Sequence, residues 1–405
     1  MYNDLYLHTR LNKVLKYPNM SQTVKECFSI NDLKKLAQKK MPSVMFDYME
    51  GSAEDEITAQ WNINAFEKYE FVPRVLRNVE NIDLSTSIQN INLKIPIISA
   101  PTGMSKMFHH EGEIAVAKAS AKAGTAYTLS TVGTSSIEDI ANVCSGPKFF
   151  QIYVWKNKNM TQDFIERCKQ NNYNGLMLAV DSPALGKRER DLRNGHGRPK
   201  VLRLNIAKSA LSKPYWLYNY FKNPKWRMAN MIEHMPHGAE TTKIIDDVNA
   251  QFRADVNWDD VQKMMDQWQG TFILKGIQSV ADAVKAAEVG VSGIVLSNHG
   301  GRQLDGAPAT LDLLPEVVKA VGNKIDIYID GCIRRGSDVV KAMALGAKAV
   351  LIGRAYLYGL AAGGEKGVDR TYEILKDEIT RVMQFIGCDS IAKLNEEYIK
   401  KGFKL

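Results

Sequence analysis

The chain has 405 residues, 45% hydrophobic and 24% charged, a globular composition with ample material for one large core. Lys and Arg number 53 against 45 Asp and Glu, a formal charge of +8 that suits an anionic ligand or a membrane surface. No basic motif of a nucleic-acid module accompanies that charge, so nucleic acid is set aside.

The five cysteines, Cys27, Cys144, Cys168, Cys332 and Cys388, are scattered, odd in number and without metal spacing. Free thiols, a reducing compartment and no metal site are expected. No apolar run approaches the ~18 residues of a spanning helix. The polar N-terminus argues against a signal peptide, so a cytoplasmic protein is expected, at most peripheral on the inner face of the cell membrane.

In chain order, residues 1–30 show no strong period and read as a loose arm, with 31–405 as one domain. Helical patterning begins near Ile30, where Ser29 or Asn31 can cap a helix through Lys40. A second segment, Val44 to Tyr48, leads into EGSAEDE. Residues 58–90 are mixed and turn-rich and read as a cap over one barrel mouth.

A regular alternation follows. Strand-like runs fall at Ile95–Pro101, Ala126–Ser130, Lys148–Val154 and Gly175–Asp181, then at Thr271–Gly276, Gly293–Asn298, Asp326–Gly331 and Ala349–Arg354. Helical segments lie between them, among them Glu111–Gly124, Val280–Gly290, Leu311–Val321 and Ser337–Gly346, several ending on glycine. Eight such units predict an α/β fold, a (β/α)8 TIM barrel with an N-terminal helical cap. The runner-up, a doubly wound open sheet, is disfavoured because no GxGxxG follows the first strand.

Strand starts are 22 to 33 residues apart, except for 96 between Gly175 and Thr271. A long insertion after strand 4, at about 190–255, is therefore expected. Within it, residues 198–227 hold eight Lys and Arg and no Asp or Glu, interleaved with Tyr215, Trp216, Tyr218, Tyr220, Phe221 and Trp226. It reads either as a lid-like surface loop or as a membrane-surface segment, with rings at the headgroups and basic residues on anionic lipid.

In such a barrel, chemistry collects at the C-terminal strand ends. Read there, the strands supply Pro101, Thr102 and Gly103; Ser130; Gln151 and Tyr153; Asp181 and Arg188; Lys275; Ser297, His299 and Arg302; Asp330, Arg334 and Arg335; and Gly353 and Arg354. The stretch GIVLSNHGGRQLD, Gly293 to Asp305, holds a base that titrates near neutrality and a planar carboxylate fork on one turn. Gly300 and Gly301 remove bulk, so that a flat ligand could approach. Glycines and arginines at the last two strands read as a phosphate cradle, and Lys275 beside them suits a delocalised anion such as the edge of a reduced flavin.

These residues resemble the FMN-dependent L-2-hydroxy acid dehydrogenases and oxidases, nearest in appearance to bacterial quinone- or cytochrome-linked L-lactate dehydrogenase. The likeness runs from about Ile30 to Cys388 and rests on SNHGGRQLDGAPAT, DGCIRRGSDVVKAMALGA, VDSPALGKRERD and FDYMEGSAEDE. It implies FMN as cofactor, L-lactate as the foremost substrate, a quinone or cytochrome acceptor, and a homotetramer; the alternative is a soluble oxidase that passes electrons to oxygen and releases hydrogen peroxide.

It also implies roles. His299 is the base, and Asp181 stabilises the imidazolium. Arg302 and Arg188 take the substrate carboxylate, with Tyr48 adding a hydroxyl, and Tyr153 sits by the substrate hydroxyl. Pro101, Thr102 and Gly103 line the flavin near N5. Ser130, Gln151, Lys275 and Ser297 bond the ring system or ribityl chain. Asp330 holds the ribityl hydroxyls, and Arg334, Gly353 and Arg354 the phosphate.

The sequence departs from the resemblance in places. Ala179 stands where many relatives carry threonine, and Cys332 replaces a common glycine. Val132, small where glycolate oxidases often have tryptophan, leaves room for a larger substrate. With some 30 residues before the shared region, no N-terminal haem domain is expected.

Overall fold

The computed structural model describes residues 23–223, 227–231 and 252–402. A closed barrel of eight strands stands at its centre: β1 Ile97–Ser99, β2 Tyr127–Ser130, β3 Lys148–Ile152, β4 Gly175–Ala179, β5 Thr271–Ile277, β6 Gly293–Leu296, β7 Asp326–Ile329 and β8 Ala349–Ile352. Every neighbouring pair is parallel, and β8 closes on β1 through Val350–Ile97, Leu351–Ile98 and Ile352–Ser99. All eight expected strands are present, and the open-sheet alternative is excluded.

The strands are apolar throughout because both faces are buried. Ile98, Phe149, Met177, Ile273, Val295, Tyr328 and Leu351 pack inside the barrel. Their neighbours Phe150, Leu176, Leu178, Leu274, Ile294, Leu296, Ile329, Val350 and Ile352 join the cluster beneath the helices. A period of two therefore governs direction without any polar alternation.

The N-terminal segment supports one wall. Helix Ile30–Lys40 is capped by Ser29, whose hydroxyl accepts from the Asp32 amide, rather than by Asn31. It packs on the long helix Arg354–Ile386, which is interrupted at Gly363 and Gly364. The end of the expected arm is docked there too: Cys27 is buried, and Arg370 Nε donates to its carbonyl at 3.0 Å. Residues 1–22 lie outside the described residues.

The stretch expected to be turn-rich contains a regular helix, Ile57–Glu67. It opens on Glu56 at φ 62° without a side-chain cap, and its buried face includes the polar Thr58 and Asn62. No apolar stripe was there to be read. Thr58 N instead donates to Asp305 Oδ1 at 2.8 Å, and Asn62 Nδ2 to Asn298 Oδ1 at 2.8 Å. The hairpin Thr86–Ile88 and Ile91–Leu93 that follows puts Ile88 and Leu93 into the inner barrel cluster. Gln89 Nε2 donates to Ser292 O at 2.6 Å and Asp326 Oδ2 at 2.9 Å, so this hairpin covers the mouth at the N-terminal strand ends.

The described part of the expected insertion is helical: Glu189–Asn194, Pro199–Ala210 and Pro214–Lys222. The two longer helices each open on proline, whose missing N–H costs nothing at that position. Residues 224–226, Trp226 among them, and 232–251 lie outside the described residues. Helix Trp258–Trp268 then returns the chain to β5.

Candidate active site

A cavity of about 540 Å³ opens at the C-terminal strand ends, walled by the turns after β1, β4, β6, β7 and β8 and by helix Ser43–Glu50. His299 follows β6 at φ 57°, in the left-handed region. Its Nδ1 lies 3.1 Å from both carboxylate oxygens of Asp181. That contact turns Nε2 away from the carboxylate. Asp181 comes from the end of β4, and it fits because β5 carries Gly276 beside it. A Cβ on Gly276, at φ 111°, would meet Asp181 Cβ at 2.7 Å. Burial raises the Asp181 carboxyl, but the facing His299 and the Lys275 ammonium outweigh it and leave it below the usual carboxylate range.

Behind this pair stands a buried cation. Lys275 Nζ lies 2.9 Å from Asp330 Oδ2 and donates to Ser297 Oγ at 2.8 Å. Ser297 Oγ also accepts from the His299 amide at 3.1 Å, which joins the lysine to the histidine turn. Burial would lower the Lys275 ammonium; Asp330 and Asp181 win and raise it, so it is charged at neutral pH.

The opposite wall is crowded with guanidinium. Arg302 and Arg188 lie 5.4 and 5.7 Å from the centre of the Tyr48 ring. Burial, with Arg188 and Arg354 close by, pushes Arg302 down to about 9. The three guanidinium groups outnumber the carboxylate beside them, Asp191, and the cluster suits an incoming carboxylate. Tyr153 completes the wall, packed edge-on against Trp155 and Phe252, and burial raises its hydroxyl.

The FMN-dependent dehydrogenase family profile matches residues 37–401. The chain belongs to this family.

Its relatives carry both oxidase and dehydrogenase names. It is 37% identical over 375 residues to glycolate oxidase 3 of Arabidopsis thaliana, across 93% of this chain and 96% of that one. It is also 37% identical over 372 residues to a putative L-lactate dehydrogenase of Mycobacterium tuberculosis, across 92% and 88%. The crystal structure of the monotopic membrane protein (S)-mandelate dehydrogenase superposes with a TM-score of 0.89 at 35% identity, across 93% of this chain and 100% of that one. FMN is therefore the cofactor and a 2-hydroxy acid the substrate class.

The cavity fits FMN on its own chemistry. Asp330 Oδ1 is buried without a partner, as a hydroxyl-binding carboxylate would be before its ligand arrives. Gln151 Nε2 is likewise buried and unpartnered, while its Oε1 accepts from Ser130 Oγ at 3.0 Å. A Cβ on Gly353 would meet nothing closer than Thr102 Cγ2 at 3.7 Å, so the start of helix Arg354–Ile386 is open to an anion. Pro101, Thr102, Gly103, Ser130, Lys275, Asp330, Arg334 and Gly353 all line the cavity. Ser297 and Gln151 stand one layer behind it.

Arg354 departs from the simple cradle. Its Nε donates to Met49 O at 3.1 Å, Nη1 to Gly300 O at 2.9 Å, and Nη2 to Gly51 O at 3.1 Å and Ser52 Oγ at 2.9 Å. It ties helix Ser43–Glu50 to the histidine turn. The glycines beside His299 serve the same closeness: Cβ atoms there would fall 2.6 Å from Arg354 Nη1 at Gly300 and 2.7 Å from Ala59 N at Gly301. Protein rather than a flat ligand occupies the space at Gly301.

Two residues of the site escaped the sequence reading. Asp191 is buried 3.7 Å from Arg188 Nε, with its other oxygen unpartnered. His196 lies parallel to Tyr48 at 5.7 Å and lines the cavity. The i,i+3 spacing from Arg188 could have pointed to Asp191. Nothing local singles out His196.

Proposed function

We propose that this chain oxidises L-lactate to pyruvate with FMN and passes the electrons to a quinone or cytochrome at a membrane surface. One observation carries the chemistry: the His299–Asp181 pair at 3.1 Å facing two guanidinium groups across one cavity. FMN, when bound, supplies the two-electron acceptor for the substrate carbon.

The residues do the rest. Arg302 and Arg188 draw in the carboxylate and fix its plane. Tyr48 and Tyr153 offer hydroxyls to the substrate's polar end. His299 takes the hydroxyl proton at Nε2, and Asp181, already ionised, stabilises the imidazolium. Lys275 would supply a positive charge to stabilise negative charge on a bound flavin. Asp330, Gln151 and Ser130 would hold the ribityl chain and ring edge of FMN, and Pro101, Thr102 and Gly103 would line its ring. Arg334 and the amides at Gly353 and Arg354 receive the phosphate.

The membrane part of the reading rests on helix Pro214–Lys222, where Tyr215, Tyr218 and Phe221 are 59, 59 and 79% exposed. No helix among the described residues is long and apolar enough to cross a membrane, so attachment would be at the surface. A second reading, an oxidase that makes hydrogen peroxide from oxygen, is favoured by the equal identity to a glycolate oxidase.

The test is spectroscopic. L-Lactate added under argon is expected to bleach the flavin quickly, and air to restore it slowly, with a quinone analogue restoring it fast. Rapid recovery in air would replace the dehydrogenase with the oxidase. No bleaching by L-lactate, with bleaching by a bulkier L-2-hydroxy acid, would move the substrate.

A further inference from the structure

We propose that the cleft between helix Pro214–Lys222 and the loop after β1 receives the ring of a quinone. The proposal rests on the quinone-linked reading above and gives its acceptor a place. Phe108, His109 and His110 wall the cleft on the barrel side, and Trp216, Asn219 and Tyr220 on the helix side. Phe108 also lines the active-site cavity, so it forms part of the wall of both spaces.

Aromatic rings stand on both sides of the cleft. Phe108 stacks on Tyr48 at 6.4 Å and 26°, on the substrate side. Across the cleft, Trp216 and Tyr220 lie nearly parallel at 5.2 Å and 13°. Tyr215, which also lines the cleft, and Tyr218 and Phe221 are exposed. An amphipathic guest with a flat ring and an apolar tail matches this sequence of surfaces, with ring inside and tail toward lipid.

The polar groups match quinone chemistry. His110 Nδ1 is buried and has no partner, an arrangement that costs free energy until a ligand meets it. The His109 and His110 rings are 4.4 Å apart, and His109 Nδ1 lies 3.9 Å from Glu111 Oε2, a carboxylate whose side chain is 42% exposed. Burial holds His109 down to about 4, so it is neutral at ordinary pH, and its Nδ1 accepts from the Glu111 amide at 3.4 Å. Solvent reaches this corner at the partly exposed Glu111, and His110 Nδ1 is the group placed to meet a quinone carbonyl. The overall exchange balances: the hydroxy acid loses two electrons and two protons, and the quinone gains both pairs and becomes the quinol.

A small cation is the rival occupant, because ligand atoms of His109, His110 and Glu111 lie within 4.8 Å of one another. Lys40 and Lys106 line the same cleft and disfavour a second positive charge there, whereas a neutral ring is indifferent to them. The cleft holds about 40 Å³, less than a quinone ring fills, so helix Pro214–Lys222 has to give way to the ring. Its polar ties include Trp216 Nε1 to Met107 O at 3.2 Å and, from Lys213 just before the helix, Nζ to Lys39 O at 2.7 Å and Gln38 O at 3.4 Å.

The experiment uses the FMN-loaded protein, L-lactate, ferricyanide, and a ubiquinone analogue with a short alkyl tail. Binding is read by quenching of tryptophan fluorescence, and turnover with each acceptor separately. His110→Phe and Tyr220→Leu are expected to weaken quinone binding and raise the quinone KM by roughly tenfold or more. Ferricyanide turnover should stay within about twofold of the parent, which shows that the variants fold. Variants that keep the parent's quinone affinity and KM overturn the cleft while leaving the quinone-linked reading intact. A parent that reduces ferricyanide but neither binds nor reduces the quinone overturns both. Zinc binding that needs His110 and Glu111, with quinone kinetics unmoved, assigns the cleft to a cation and overturns the proposal.

Discussion

His299 stands in the left-handed region between an amide bonded to Ser297 and an imidazole held by Asp181. Its ring is fixed before any substrate arrives, so its loss should affect chemistry more than binding. His299→Gln is expected to retain FMN and to slow anaerobic flavin reduction by about 10² to 10⁴; stopped-flow absorbance reads this, and a near-parental rate removes His299 as the base. Arg302 gives a pH dependence with a definite sign. It attracts a carboxylate only while protonated, and its burial puts the free-site value at about 9. Substrate affinity should be full below that pH and fall as pH rises through it. The bound carboxylate favours the charged form, so kcat should fall at higher pH than kcat/KM does. Arg302→Lys keeps the charge but loses the fork, and KM for L-lactate should rise with the visible flavin spectrum little changed. A KM unmoved by the substitution and flat through pH 9 would take Arg302 out of the carboxylate role.

At the scale of elements, the insertion shows how local composition and tertiary placement combine. The basic and aromatic residues were plain in the sequence, but only the fold decides which of them face outward. Trp216 turns inward to bond Met107 O, whereas Tyr218 and Phe221 on the same helix remain exposed. Lys208 and Lys222 near the two helix ends are exposed as well. Each basic residue near an anionic bilayer contributes roughly 1 kcal/mol, less in salt. The protein is therefore expected to sediment with anionic liposomes at low salt and to be released at high salt. The pair Lys208→Glu and Lys222→Glu should weaken sedimentation strongly while leaving anaerobic reduction by L-lactate intact. Equal sedimentation of parent and charge-reversed protein would remove the membrane role of these helices. Helix Ile57–Glu67 teaches the converse lesson. Its buried face carries Thr58 and Asn62, whose partners are some 240 residues away in the histidine loop, so no local window could reveal it.

For the molecule as a whole, the cavity is a polar interior that a cofactor would complete. Asp330 Oδ1 and Gln151 Nε2 are buried without partners, and the buried Lys275 has Asp330 as its close counter-charge. Such groups are costly when unmatched, so FMN should stabilise the whole barrel as well as colour it. Removing FMN is expected to lower the melting temperature. Restoring it at about 100 times its Kd should return roughly 2.7 kcal/mol. Calorimetry of the apo and reloaded protein measures this, and an unchanged melting temperature would mean that those groups do not hold the cofactor.

The barrel itself was legible because it is built from local regularities: short apolar runs buried on both faces, helices between them, and glycines after several helices. Their repetition specifies eight parallel strands without knowledge of any contact. The strand ends could be read in the same way, since the fold class alone tells which end of each run carries chemistry. The meeting of His299 with Asp181, 118 positions apart, was open to sequence only through family resemblance. Other features depend on distances between remote segments. Arg354 bonds the backbone at Met49, Gly51 and Gly300 because helix Ser43–Glu50 lies across its end. His196 reaches the cavity because the turn after helix Glu189–Asn194 lays it on Tyr48. A sequence records which groups a chain owns and the period with which they face in or out; the partners of a long side chain are decided by three-dimensional packing, where separation along the chain no longer measures separation in space.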